Sequence, residues 1–271
     1  MWLVLIGILS VQFGAAISKE LFAEIPPVGM VLLRLVTSSL ILLAVARPRL
    51  SGRTAADWRP VLFLGLALAA MNWSIYESFA RIPLGVAVTI EFVGPLAVAA
   101  MSGRRPRDLL WVGIAALGIA LFGAGPTKID ALGFALALVA GGCWALYILS
   151  TVATGSRWAG VDGLAVASAI ATLVIAPFAV AKAGAHLLDP RLLLLGALVG
   201  LLSSVIPYSL EMAALRRMPP RVFGILMSLE PAVAAMAAAV LLREWLTPVQ
   251  LLAMACVTAA SVGAARTSEH P

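Results

Sequence analysis

Short polar breaks divide this chain into ten apolar stretches, roughly 1–18, 27–46, 60–79, 84–102, 108–124, 130–151, 160–181, 191–213, 221–241 and 247–265. Each stretch is close to the ~20 residues that a helix needs to cross the hydrocarbon core of a bilayer. The linkers are brief and charged, as at 47–59, 104–108, 216–221 and 243–247, and none could hold a soluble domain. The expected fold is all-α: a polytopic membrane protein of about ten transmembrane helices.

Composition narrows the reading further. Hydrophobic residues make up 62% of the chain and charged residues 12%, with a mean hydropathy of +1.04. Soluble domains are nearer half apolar and a quarter charged. The 23 Gly and 16 Pro would damage helices in water but are tolerated in membrane helices. A net charge of +6 does not mark a nucleic-acid binder, because no basic face or aromatic–basic interleaving accompanies it. Cys143 and Cys256 lie inside apolar runs without metal-ligand spacing and read as packing residues. His186 falls in a loop and His270 in the tail, so neither a metal nor a cofactor is implied. The start at Met1-Trp2-Leu3 has no basic lead and reads as an uncleaved first span, and a start upstream of Met1 is compatible with it.

The charges set an orientation. With the N-terminus inside, the inner segments hold Arg47, Arg49, Arg53, Arg59, Arg104, Arg105, Arg107, Arg157, Arg216, Arg217, Arg221 and Arg266. The outer segments hold Lys19, Arg81, Lys128, Lys182, Arg191 and Arg243, so twelve stand against six. Basic loops stay in the cytoplasm. Both termini are therefore expected there, with the chain in the bacterial inner membrane.

The halves of the chain are alike. Ala80-Arg81-Ile82-Pro83 overlies Arg216-Arg217-Met218-Pro219, and without a gap Gly94-Pro95-Leu96-Ala97-Val98-Ala99 then overlies Glu230-Pro231-Ala232-Val233-Ala234-Ala235. Span four thus matches span nine, each with a proline in mid-helix. Five spans is an odd number, so the second unit enters the membrane inverted. Two inverted five-helix repeats, 1–125 and 130–266, are the expected organisation. That is the architecture of secondary transporters, whose site lies near the midplane between the repeats. Chance similarity between Ala-rich helices is the competing explanation.

Polar groups inside spans mark candidate sites, since a charge at the bilayer centre costs about 2.5–3.5 kcal/mol even on insertion scales. Glu91 and Glu230 lie near the middles of spans four and nine. They could pair with a substrate amine, carry protons, or be satisfied by nearby hydroxyls. Pro95, Pro207 and Pro231 lack an N–H and so free the carbonyls of Glu91, Ser203 and Met227, creating acceptors and flex points. Asn72 and Tyr76 share a helical face, as do Ser204 and Tyr208, and Pro207 and Glu211. Trp144 and Tyr147 are mid-span and could line a cavity. Glu77 and Glu211, nearer the helix ends, are read as structural or headgroup-facing. Arg34 in span two is expected to pair with Glu20 or Glu24 rather than with a substrate carboxylate. Gly196-x3-Gly200-x3-Ser204 is a small-residue stripe that permits close helix approach. No zinc-protease, nucleophile-elbow or phosphate-loop motif occurs, so an embedded enzyme has no visible chemistry.

Several blocks resemble EamA-type carriers of the drug/metabolite transporter superfamily. They are Ala70-Met71-Asn72, Pro83-Leu84-Gly85-Val86-Ala87-Val88, Glu91-Phe92-Val93-Gly94-Pro95-Leu96-Ala97-Val98-Ala99, Arg104-Arg105-Pro106, Cys143-Trp144-Ala145-Leu146-Tyr147-Ile148-Leu149-Ser150, Pro207-Tyr208-Ser209-Leu210-Glu211-Met212 and Leu226-Met227-Ser228-Leu229-Glu230-Pro231-Ala232. The likeness covers nearly the whole chain. It departs from the family at the N-terminus, which lacks a polar lead-in, and at the extra acid Glu77. The resemblance implies an exporter of small amino acids, with threonine or homoserine as substrate. It also implies a cavity lined by spans one, three, four, six, eight and nine, within reach of Asn72, Tyr76, Glu91, Trp144, Tyr147, Tyr208, Ser228 and Glu230. Glu91, Glu230 and the freed carbonyls would hold the substrate ammonium. Asn72, Tyr76, Trp144 and Tyr147 would donate to its carboxylate. A proton on Glu91 or Glu230 would couple export to a gradient. An aromatic amino acid or an amphipathic drug as cargo is the alternative within transport.

Overall fold

The computed structural model describes residues 1–102, 106–124 and 129–267. Arg104, Arg105, Lys128, His270 and the boundary at 125 lie outside the described residues. Among the described residues the chain is helical, with no strand. Spans one to three are α1 (Trp2–Glu20), α2 (Pro27–Ala46) and α3 (Ala55–Phe79). Span four is two helices, α4 (Leu84–Glu91) and α5 (Val93–Ser102). Spans five to seven are α6 (Pro106–Ala124), α7 (Ala131–Gly155) and α8 (Asp162–Ala183). Span eight joins α9 (Pro190–Gly200) to α10 (Ile206–Leu215) through a π-helical turn at Leu201–Val205. Span nine is α11 (Pro220–Met227), α12 (Glu230–Ala237) and a π-helical turn at Ala238–Leu242, and span ten is α13 (Pro248–Thr267). Eight of these are long and apolar enough to cross a membrane, and Leu84–Ala99 and Leu109–Gly123 are shorter apolar helices.

Local chemistry sets the ends and the breaks. Pro27, Pro190 and Pro220 begin helices, where a missing N–H costs nothing. The α3 helix starts ahead of the expected position near 60, because Thr54 and Asp57 form a capping box that satisfies orphan donors. Asp130 accepts from the Gly133 N–H at 2.6 Å and caps α7. Interior prolines act where their rings remove a donor: α4 ends at Glu91, before Pro95, and α11 ends at Met227, before Pro231. The π turn of span eight likewise precedes Pro207.

The spans pack in a regular pattern. Span three lies on six and seven, and span eight lies on one and two. Span four packs on six, as span nine packs on one. Spans two and seven, four and nine, and five and ten pair with each other. Exchanging each span n with n+5 leaves this pattern unchanged, which is the packing expected of two five-span units about a two-fold axis. Glycine makes the closest contacts possible. A Cβ on Gly141 would stand 2.8 Å from the Glu91 carbonyl oxygen, and one on Gly200 would stand 2.7 Å from Thr37 Cβ. Large apolar side chains such as Phe63, Leu173 and Leu194 are exposed on the outside of the bundle, where acyl chains would cover them.

Ten crossings return both described ends to one face, called here the terminal face. Val4 and Ile8 cluster there with Ala214 and Phe223, and Gly263 packs on Trp111. The opposite, far face carries Lys19, Ile82, Leu84 and Glu244.

A charged cavity at the centre of the bundle

The broken spans carry their polar groups inward. A cavity of about 210 Å³ lies between spans one, two, three, four, six, eight and nine. Of the candidates read from sequence, Asn72, Tyr76, Glu91, Trp144, Tyr147, Tyr208 and Glu230 line it. The break after α4 presents Glu91, and the break before α12 presents Glu230. The Trp144 ring meets Phe92 edge-on, with centroids 5.4 Å apart. Pro207 forms part of the wall, while Pro231 is buried outside it.

Ser228 is the candidate that the structure removes from this wall. Its Oγ donates to the Gly224 carbonyl at 3.0 Å or pairs with Ser261 Oγ at 2.7 Å, and its side chain is fully buried toward span ten. The turn at Ser228–Leu229 rotates Glu230 into the cavity and Ser228 out of it. Two expected carboxylate donors are also engaged already. Asn72 Nδ2 donates to the Leu68 carbonyl at 2.8 Å, and Tyr76 Oη lies 3.3 Å from Ser18 Oγ.

Arg34 overturns its expected pairing. Glu24 is bound to Arg191 at 2.5 Å at the far face, and Arg34 instead lines the cavity. Seven residues into α2, at 1.5 Å per residue, it lies roughly 10 Å below the helix start, out of reach of the loop acids. Its Nη1 donates to Tyr76 Oη at 3.1 Å, its Nη2 to the Ser203 carbonyl at 3.0 Å, and its Nε to Ser204 Oγ at 3.3 Å. The Ser203 carbonyl is the one that Pro207 frees, so the guanidinium takes an acceptor expected for a substrate amine. Among the described residues no carboxylate stands within 4.0 Å of Arg34.

Two further groups went unnoticed in the sequence. Gln12 is buried in the cavity wall with its Oε1 unpartnered among the described residues, as is Ser203 Oγ. Glu211, read as structural, also faces the cavity, whereas Glu77 is tied to Arg81 at 2.8 Å. The signal for Glu211 was present in its helical register with Pro207.

A second cavity of about 550 Å³ runs from the centre toward the terminal face, lined by Phe92, Pro95, Leu96, Phe223, Gly224, Ala264 and their neighbours. Trp144, Glu211 and Met227 border both cavities. The far side is closed. Lys19 Nζ meets Glu244 Oε1 at 2.6 Å and donates to the Ile82 carbonyl at 2.7 Å, while the Leu84 N–H donates to Glu244 Oε2 at 2.9 Å. No cluster of His, Cys, Asp and Glu that could hold a metal occurs among the described residues.

Comparison with known proteins agrees with this anatomy. Residues 131–266 match the EamA-like transporter family. Threonine/homoserine exporter RhtA of Escherichia coli (strain K12) is 45% identical over 270 residues, covering 98% of this chain and 90% of that one. RhtA of Salmonella typhimurium (strain SL1344) is 45% identical over 268 residues, covering 97% and 90%. This chain belongs to the EamA-like transporter family. A crystal structure with 14% identity shares the fold, with a TM-score of 0.62 over 97% of this chain and 96% of that one. An EamA-like transporter must offer its cargo polar partners at a depth where lipid offers none. One guanidinium and three carboxyl groups around a small cavity suit a small polar molecule.

Proposed function

We propose that this protein exports threonine and homoserine across the bacterial inner membrane by alternating access, driven by protons, with both termini in the cytoplasm. The observation that carries the reading is the central cavity: 210 Å³ of space lined by a guanidinium and three carboxyl groups. Drug-sized sites run to about 300–1,000 Å³, so a cargo of few heavy atoms fits better. The RhtA relatives at 45% identity point to the same cargo. In this reading the repeats 1–125 and 130–266 rock around the cavity. Glu91 and Glu230 hold the substrate ammonium, and a proton competes with it for the same carboxylates. Pro95 and Pro231 allow spans four and nine to bend. The apolar lining of the 550 Å³ approach favours a second reading, in which an aromatic amino acid is also carried.

The test is efflux of labelled threonine, homoserine and phenylalanine from proteoliposomes, with and without a pH gradient. Threonine and homoserine should move fastest, and the gradient should accelerate them. Glu91→Gln or Glu230→Gln should abolish the acceleration. Retained exchange of amino acid for amino acid would mark that residue as the coupling site, and lost exchange as a substrate ligand. Wild-type rates and pH dependence in both variants would refute the mechanism.

A further inference from the structure

We propose that Arg34 is the carboxylate-binding residue of the central cavity, the group that makes this transporter select α-amino acids over amines of the same shape. The proposal rests on the amino-acid reading above and assigns the other half of the zwitterion.

Donor counting supports this assignment. A guanidinium has five N–H donors and cannot lose its charge in a protein. The three bonds to Tyr76, Ser203 and Ser204 use one donor on each nitrogen. Five minus three leaves two, one on each terminal nitrogen, and a carboxylate takes such a pair bidentately. All three present acceptors are neutral. The positive charge therefore has no carboxylate partner within 4.0 Å among the described residues, although Glu91, Glu211 and Glu230 line the same cavity. A cation left unneutralised at membrane depth is costly, and a substrate carboxylate would complete it.

The surroundings hold this side chain in place. The small-residue stripe lets α9 close on α2: a Cβ on Gly200 would stand 3.0 Å from the Arg34 carbonyl oxygen, and one on Gly196 2.5 Å from Leu33 Cβ. That approach brings Ser203 and Ser204 to the guanidinium. The Tyr76 ring lies 5.5 Å from the guanidinium carbon, adding a cation–π contact. Three spans thus fix the fork before any substrate arrives, which reduces the ordering cost of binding. With the carboxylate on Arg34, the substrate ammonium faces Glu91, Glu211, Glu230 and Gln12 Oε1, which has no partner among the described residues.

The experiment measures binding to purified protein in nanodiscs for threonine, homoserine, phenylalanine, threoninol (no carboxylate) and 3-hydroxybutyrate (no amine). Wild type should bind the amino acids and reject threoninol. Arg34→Gln should lose roughly 100-fold in threonine affinity while its threoninol affinity stays within twofold of wild type. Arg34→Lys keeps the charge without the fork, and should show a smaller loss confined to carboxylate-bearing ligands. If Arg34→Gln is not recovered folded, the Lys variant decides alone: equal threonine affinity overturns the proposal. Unchanged threonine binding in Arg34→Gln, or equal losses for threonine and threoninol, overturns the role of Arg34 and leaves the amino-acid reading standing. Arg34-dependent binding of phenylalanine but not threonine supports Arg34 and corrects the cargo. Wild type that binds threoninol as well as threonine, or binds no member of the panel, overturns both.

Discussion

The two ends of the central cavity are built differently. At the far face, α1, the span three–four turn and the span nine–ten loop are stitched by Lys19, Ile82, Leu84 and Glu244. Ser78 Oγ adds a bond to the Gly133 carbonyl at 2.7 Å. At the terminal face, spans four, six, eight, nine and ten surround the 550 Å³ cavity with mostly apolar side chains. Beside it, Trp58 of α3 packs edge-on against Trp158 of the span six–seven loop, and Arg53 lies 4.1 Å from the Trp158 ring. One end is held by charge-assisted bonds that can exchange partners, and the other is walled by apolar side chains. In the alternating access proposed above, the Lys19–Glu244 pair is the latch that must part for the far face to open.

The largest loss of transport should come from making the latch permanent. In a protein whose Cys143 and Cys256 are replaced by Ala, Lys19→Cys and Glu244→Cys can be bridged by a bifunctional, reducible thiol reagent. Transport should fall to the liposome background and return on reduction. Bridged protein that still exports at the unbridged rate would show that the far face need not open.

Weakening the latch should have a smaller, opposite effect on the conformational balance. Lys19 and Glu244 side chains are 15% and 23% exposed, so solvent screens the pair only in part. A hydrogen bond to a charged group contributes about 1.5–3 kcal/mol, or roughly 10- to 150-fold in an equilibrium. Glu244→Gln should therefore raise the far-side labelling rate of a cysteine at Ala15, in the cavity wall, by about 10-fold or more with an impermeant thiol reagent. An unchanged rate would mean that apolar packing alone closes this face.

Most of the fold was legible because the bilayer enforces it: apolar runs of spanning length are helices, and Pro95, Pro207 and Pro231 break the ladder at computable places, whereas Pro177 stays inside a continuous α8. The acids were legible for the same reason, since Glu91 and Glu230 interrupt runs that would otherwise be cheaper without them. Arg34 was misread because partners were sought along the chain. Counting helical rise from Pro27 would have put it below Glu20 and Glu24. What the chain could not show is that Gly196 and Gly200 draw span eight against span two, which is a tertiary fact. Ser228 was misread for a related reason. Depth follows from residue number, but facing does not survive a helix break, where the usual turn per residue is lost.

Ser228 gives the smallest expected effect and a sharp check on that last point. Its hydroxyl bonds Gly224 and Ser261 behind the cavity wall, two residues from Glu230 on the other side of the break. Ser228→Ala removes two neutral hydrogen bonds at about 0.6–1 kcal/mol each, leaves a small apolar side chain in place, and exposes no new charge. Thermal stability should drop slightly, while threonine affinity and the pH dependence of export stay at wild-type values. Ser261→Ala should give a smaller loss, and the double variant should lose less than the sum, because both remove the shared Ser228–Ser261 bond. A fall in threonine affinity in Ser228→Ala with unchanged stability would mean that the α11–α12 turn presents Ser228, as well as Glu230, to the substrate.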